Sequence, residues 1–264
     1  MKRLLQLFLL IFVLFSAQNV SAQEKKKGEV DFGVDLMSRY VWRGFDFGAM
    51  PSIQPGLSYT KGGFEIGVWG AYAMNFAGYQ ETDLYFSYTF LDDMLTLGIT
   101  DYYFPDISAL DQGYFDWSNA TGHCVELNAS FNGTENFPLS CSVNTFLYGA
   151  DQVFSDSSLN TSSGLYENNT KANYSTYVEL GYSFTANNVD LDVFAGYQLN
   201  GINIEDAILS GGEGFYLDGP GFINVGFSAS KEIAITDTWN LPVSTSFVLN
   251  PKRERVYFVF GFSF

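Results

Sequence analysis

The chain has 264 residues, with 29 acidic residues against 13 basic ones and a single histidine, giving a formal charge of −16. So acidic a balance argues against nucleic acid as a partner, because little is available to neutralise phosphates. An aromatic content of 18%, with 26 Gly and 26 Phe, is unusual for a soluble domain and suits strands whose outer face meets lipid.

The first segment, MKRLLQLFLLIFVLFSAQNVSAQ, has a basic start at Lys2 and Arg3, an apolar run from Leu4 to Phe15 and the small-residue pattern Val20-Ser21-Ala22. It reads as a secretory signal over 1–22, cleaved after Ala22, followed by a short leader at 23–28. Cleavage leaves 11 basic residues against all 29 acidic ones, a formal charge of −18. No later segment approaches the length of a transmembrane helix, so a membrane-spanning form has to be a closed β-barrel, here over 29–264.

From Glu29 to Trp42, Val30, Phe32, Val34 and Leu36 alternate with Asp31, Gly33, Asp35 and Met37. This is strand periodicity, with one apolar face. Tyr40 and Trp42 fall on the apolar parity at the strand's outer end, where an aromatic girdle belongs, and the loop RGFDFGAM follows. Ile53, Pro55, Leu57 and Tyr59 share a face of the returning strand, which ends at Lys61-Gly62-Gly63, and Phe64, Ile66, Val68 and Tyr72 resume the pattern. The same rule predicts strands near 81–90, 94–104, 123–131, 139–149, 172–185, 189–200, 221–230, 239–250 and 255–264. The expected fold is therefore all-β, a transmembrane antiparallel barrel of about twelve strands. Its turns near 61–63, 91–93, 132–138, 186–188 and 231–238 are short and periplasmic, and its loops near 105–122, 150–171 and 201–220 are longer and extracellular.

The chain ends in RVYFVFGFSF, which puts Val256, Phe258, Phe260, Phe262 and Phe264 on one face. On a soluble edge strand that row would aggregate, so lipid is its expected cover and the first strand its expected neighbour. The terminal aromatics Phe260, Phe262 and Phe264 resemble the signal read by the bacterial barrel-assembly machinery.

Charges on the inward parity are the informative ones, because a lipid-facing position penalises charge and a wet lumen does not. The candidate lumen or selectivity residues are Asp35, Asp83, Glu126, Glu179 and Asp192, with Trp69 and Tyr85 and with Tyr102, Tyr148 and Tyr177 on the same parity. Arg39, Arg43 and Arg255, with Lys252 and Arg253, gather on the first and last strands or their loops. Closure makes those strands neighbours and one seam of the mouth basic, which suits either a transverse field across a pore or pairing with carboxylates inside a plugged lumen. Binding of lipopolysaccharide phosphates is a further reading of the outer arginines.

Little supports catalysis. His123 lies in GHCVEL, with no serine two residues on and Val125 facing outward, so a surface histidine without a role is the expectation, and no enzyme, cofactor or metal site is proposed. Cys124 and Cys141 lie opposite each other if Asn132-Gly133 is a two-residue turn, and point to opposite faces if the loop runs to Pro138.

Ser38-Arg39-Tyr40-Val41-Trp42-Arg43-Gly44, then Pro51, Gln54-Pro55 and Gly67 to Gly70, resemble the opening of the TorF-type porin family over roughly the first quarter of the mature chain. The resemblance implies an integral outer-membrane barrel of a Gram-negative bacterium. The expected function is a porin or channel for passive transport of small hydrophilic or amphipathic solutes. The expected surroundings are outer-membrane lipid, lipopolysaccharide and the assembly machinery, with no nucleic acid. A non-transporting surface protein with partner-binding loops is the alternative, and a lipid-modifying barrel enzyme is third.

Overall fold

The structure is a computed structural model that describes residues 27–75, 80–105, 113–117, 122–159, 166–201, 215–216 and 219–264. The signal sequence and most of the leader lie outside the described residues.

Twelve strands close into one antiparallel barrel. In chain order they are β1 (Glu29–Met37), β4 (Ser52–Lys61), β5 (Phe64–Ala73), β6 (Gln80–Phe90), β7 (Leu95–Tyr103), β8 (His123–Phe131), β9 (Leu139–Gly149), β12 (Thr176–Ala186), β13 (Val189–Gln198), β14 (Gly221–Thr236), β15 (Trp239–Asn250) and β16 (Arg255–Ser263). Two short hairpins complete the described elements: β2 (Val41–Trp42) with β3 (Phe45–Asp46), and β10 (Gln152–Leu159) with β11 (Tyr166–Ala172). Barrel strands pair with their sequence neighbours, and β1 closes on β16 through Asp35 opposite Ser263, Leu36 opposite Phe262 and Met37 opposite Gly261. Backbone bonds between Val34 and Phe264, at 3.0 and 3.1 Å, finish the seam. The terminal phenylalanine row thus has the expected neighbour.

Apolar side chains at every second position point outward and remain uncovered. Phe258 is 65% exposed and Phe32 68%, and Ile66, Phe86, Leu127, Leu180, Phe227 and Phe260 are exposed in the same way. A water-soluble barrel would reverse this arrangement.

Connections largely sort by end. Residues 62–63, 91–94, 132–138, 187–188 and 237–238 make short turns at one end; at the other lie the long connections 38–51, 104–122, 150–175 and 199–220, together with the shorter 74–79 and 251–254. Local chemistry explains the tight ones: Asn187 and Asn188 both take positive φ, as a two-residue hairpin turn requires. Three boundaries differ from the sequence reading. Strand β1 stops at Met37, not at Trp42. Strand β12 starts at Thr176, because the residues up to Ala172 belong to the outer hairpin. Strand β14 runs to Thr236, so Lys231 sits in a strand and not in a turn; it lies one residue past Ser230, the last residue of β14 paired with β13.

Candidate functional site: the lumen and its mouth

The mouth is built from a segment the sequence reading placed in the wall. After β1 the chain bends at Ser38 and Arg39 and turns inward, so Tyr40 and Trp42 do not form an outer girdle. Tyr40 is buried with its ring 5.4 Å from that of Trp69, and Trp42 packs edge-on against Tyr102 and Phe215 at 5.7 and 5.4 Å. The β2–β3 hairpin reverses at Arg43-Gly44, both with positive φ. A glycine is required at 44 for a second reason, since a Cβ there would run into the carbonyl of Ile223 on β14. Across the base of the hairpin, Arg39 pairs with Asp46 at 2.5 Å, and Phe47 N–H donates to the Tyr40 carbonyl at 2.9 Å.

The hairpin's tip spans the lumen. Arg43 donates both guanidinium nitrogens to Glu126 on β8, at 2.6 and 3.0 Å, and donates to the Tyr216 hydroxyl at 2.8 Å. Its guanidinium lies 4.1 Å from the ring of Trp42 and 4.6 Å from that of Tyr177. Glu126 is fully buried and takes a further bond from Tyr102 at 2.9 Å and one from Asn128 at 2.7 Å. On the other side Asn250 donates to the Gly44 carbonyl at 3.0 Å, and Arg253 sits over Phe45. Burial works against charge on Arg43, but the facing Tyr216 and Glu126 outweigh it and hold its pKa well above the ordinary value. Burial likewise pushes the Tyr216 hydroxyl up, with Arg43 pulling the other way. A buried, multiply hydrogen-bonded ion pair of this kind costs about 3–5 kcal/mol to break from one side.

An aromatic core surrounds the latch: Tyr102, Phe146, Tyr177 and Tyr216, with Phe215, Phe45 and Trp42 against them. Asp151 holds the outer loops in place, accepting from Ser175 N–H at 2.8 Å, Ser175 Oγ at 2.5 Å and Phe215 N–H at 2.9 Å. Phe45, Asp151, Phe215, Tyr216 and Asn250 were not singled out from sequence. Arg43-Gly44 between two aromatic pairs was the available hairpin signal; Phe215 and Tyr216 sit in an aperiodic glycine-rich loop that carries none.

Below the hairpin is a cavity of about 560 Å³. It runs from Asp31 and Ser58 near the turn end up to Tyr40 and Trp42, and its wall includes Asp35, Asp83, Trp69, Tyr85 and Tyr102. Among the described residues no basic one lines it. On the opposite wall Glu179 accepts from Tyr177 Oη and from Asn224 at 2.8 Å, while Asp192 accepts from Ser183 at 2.5 Å and Ser228 at 3.1 Å. Arg255 is exposed at the start of β16. The expected basic seam is therefore dispersed: Arg39 and Arg43 are committed to the hairpin, and Lys252 donates to the Pro220 carbonyl at 3.1 Å.

Two further side chains depart from expectation. Tyr148 faces outward, because β9 carries an extra residue, Leu147, between the partners of Val125 and Glu126, and this bulge shifts its register; its hydroxyl donates to the Trp117 carbonyl. His123 is not a surface residue without contacts: it is fully buried, stacked 3.9 Å under Trp117, with Nδ1 at 2.9 Å from Asp101 and Nε2 at 2.6 Å from the Tyr114 carbonyl. Tyr103, Tyr114, Trp117 and Tyr148 thus make the aromatic cluster on the outside of the loop end. The cysteines are free; Cys124 pairs in register with Gly149 and Cys141 with Phe131, so they occupy opposite faces, as the longer loop to Pro138 requires.

Residues 22–131 match the model of a family described as a bacterial protein of unknown function (Gcw_chp). That stretch ends with β8 and contains the β2–β3 hairpin, every residue lining the cavity, and both Arg43 and Glu126. No curated protein matches the chain.

Proposed function

We propose that the chain is an outer-membrane barrel of a Gram-negative bacterium, a passive channel for small hydrophilic or amphipathic solutes that the β2–β3 hairpin closes at the loop end. The observation that carries this reading is the inversion of the barrel: apolar side chains are uncovered on the outside, while Asp, Glu and Ser face inward. Eleven of the twelve barrel strands have 9–12 residues and β14 has 16, lengths that suit a bilayer, and charge on such an outer face is penalised. The signal-like start and the resemblance of 38–70 to TorF-type porins support the same location. In this reading Phe260, Phe262 and Phe264 are what the assembly machinery engages, and the long connections meet lipopolysaccharide.

The lumen is divided. Its mouth is filled by the hairpin and Tyr216, with Arg43 neutralised by Glu126, whereas the space below is acidic and hollow. A channel with this interior rests closed, prefers cations when open, and opens by withdrawal of the hairpin. One observation favours the alternative of a non-transporting surface protein: Arg39, Arg43 and Arg253 are engaged in contacts that hold the mouth shut.

Refolded full-length mature chain in a planar bilayer, recorded under a salt gradient, tests the proposal. Brief discrete openings with a reversal potential on the cation side are expected. A folded barrel that never conducts under any applied potential would move the function to the loops.

A further inference from the structure

One ion pair stands on the outer side of the wall. Leu97, Ile99 and Leu127 on β7 and β8 face outward, and the same parity carries Asp101, Tyr103 and His123 at the loop end of these strands. Charge is penalised on such a face, and here residues 113–117 cover it: Trp117 stacks 3.9 Å over the imidazole and the Tyr114 ring lies 5.0 Å away, leaving His123 at 0% exposure. Nδ1 is 2.9 and 3.0 Å from the two carboxylate oxygens of Asp101, and Nε2 is 2.6 Å from the Tyr114 carbonyl. A carbonyl cannot donate, so Nε2 carries a proton; the carboxylate accepts, so Nδ1 carries one as well. Moving the second proton onto Asp101 leaves the count unchanged, because the site is satisfied only with both. The Trp117 face, 14° from parallel to the ring, favours the same positive charge. The other titratable groups facing the ring are Tyr103 of β7 and Tyr114; Tyr148 of β9 packs against Trp117, Asp116 lies in the covering segment, and Cys124 and Glu126 of β8 face inward.

We propose that His123 is a pH-sensitive fastener, holding residues 113–117 against the outer wall while its ring carries two protons and releasing them when it gives one up. The sign follows from the partners. Both contacts are satisfied on the acid side of the ring's titration, and as pH rises through it one nitrogen lone pair is left facing an acceptor in a site closed to water. Imidazole is the side chain whose charge changes near neutrality, and His123 is the only histidine in the chain, so a single group accounts for the response. Release is local, because β8 stays paired to β7 and the His123 carbonyl still accepts from Ala150 N–H at 3.1 Å. It uncovers Asp101 without a counter-charge and frees Phe115 and Trp117, which are 88% and 45% exposed even when fastened.

The test is heteronuclear NMR of the imidazole nitrogens in the refolded full-length mature chain in micelles, from about pH 5 to 9, beside hydrogen exchange of residues 113–117 corrected for its intrinsic pH dependence. Both ring nitrogens are expected to carry protons at the acid end and one to be lost in a single step, with protection of 113–117 falling about tenfold at the same midpoint. Asp101→Asn removes the opposite charge and is expected to move that midpoint down by about one pH unit, a shift that a purely structural contact does not produce. His123→Gln, without a titrating ring, is expected to leave exchange fast and free of any step; if it does not fold, Asp101→Asn decides the matter. A ring that keeps one protonation state over this range, a midpoint unmoved by Asp101→Asn, or exchange indifferent to the ring's step overturns the proposal. Conduction plays no part in it: a barrel that never conducts defeats the channel reading and leaves the fastener standing.

Discussion

The two halves of the lumen solve opposite problems with the same strand alternation. At the loop end, inward positions carry Tyr102, Phe146, Tyr177 and Glu126, and a hairpin and a loop fill what remains, leaving Glu126 at 0% exposure. Toward the turn end, inward positions carry Ser58, Ser183, Ser228 and Asp31, Asp35 and Asp192, and a cavity of about 560 Å³ persists. Side-chain volume decides the difference. Twelve strands enclose a lumen that a few large aromatics and one inserted hairpin can shut, while serines and aspartates cannot. The closed part and the hollow part therefore differ in side-chain volume and in the inserted hairpin, on one continuous barrel wall.

The comparison breaks most sharply at the latch. Arg43→Ala leaves Glu126 buried without its cation and is expected to cost about 3–5 kcal/mol, read by denaturant unfolding in vesicles, and to release the hairpin into solvent. If instead stability is unchanged, the pair is not what closes the mouth. Outside against inside gives the next largest effect. Phe258→Arg, on the uncovered face, is expected to cost about 2–4 kcal/mol for folding into lipid, whereas Ser246→Arg, on the opposite parity, should cost less than about 1 kcal/mol. Equal penalties would mean that the outer face does not meet lipid. Gly44→Ala tests the hairpin's seat: strain at positive φ and the clash with Ile223 should cost about 1–2 kcal/mol and raise trypsin cleavage after Arg43. The smallest energetic effect is expected at the hollow end. Asp192→Asn removes a charge held only by serines, should change stability by less than about 0.5 kcal/mol, and should still weaken cation preference in the reversal potential.

Strand alternation made the wall legible in sequence, because lipid-compatible residues recur at every second position from Val30 to Phe264 and the tight turns carry Gly, Asn or Asp. It failed where parity persists but the chain leaves the wall. Tyr40 and Trp42 continue the alternation of β1, and an aromatic at a strand's end suits a girdle as well as a plug; only the backbone bend at Ser38 and Arg39 separates the two. A bulge had the same effect at Tyr148, moving a residue counted as inward to the outside. The turn expected near 231–238 included Lys231, yet β14 and β15 extend past their neighbours and place it in a strand at the margin of the outer face. Asp83 and Glu126 were both read as inward charges. What sequence could not assign was that one is satisfied by an arginine 83 positions away while the other keeps an oxygen without a donor.

The most direct measurement of the central claim, that the hairpin is the gate, is single-channel recording of the wild type beside Arg43→Ala in the same bilayers. The account predicts a wild type that is closed for most of the record and a variant that stays open at least about tenfold longer, at similar unit conductance, because about 1.4 kcal/mol of lost latch energy already shifts the equilibrium tenfold. Identical open times in two folded barrels, or silence from both, would contradict it.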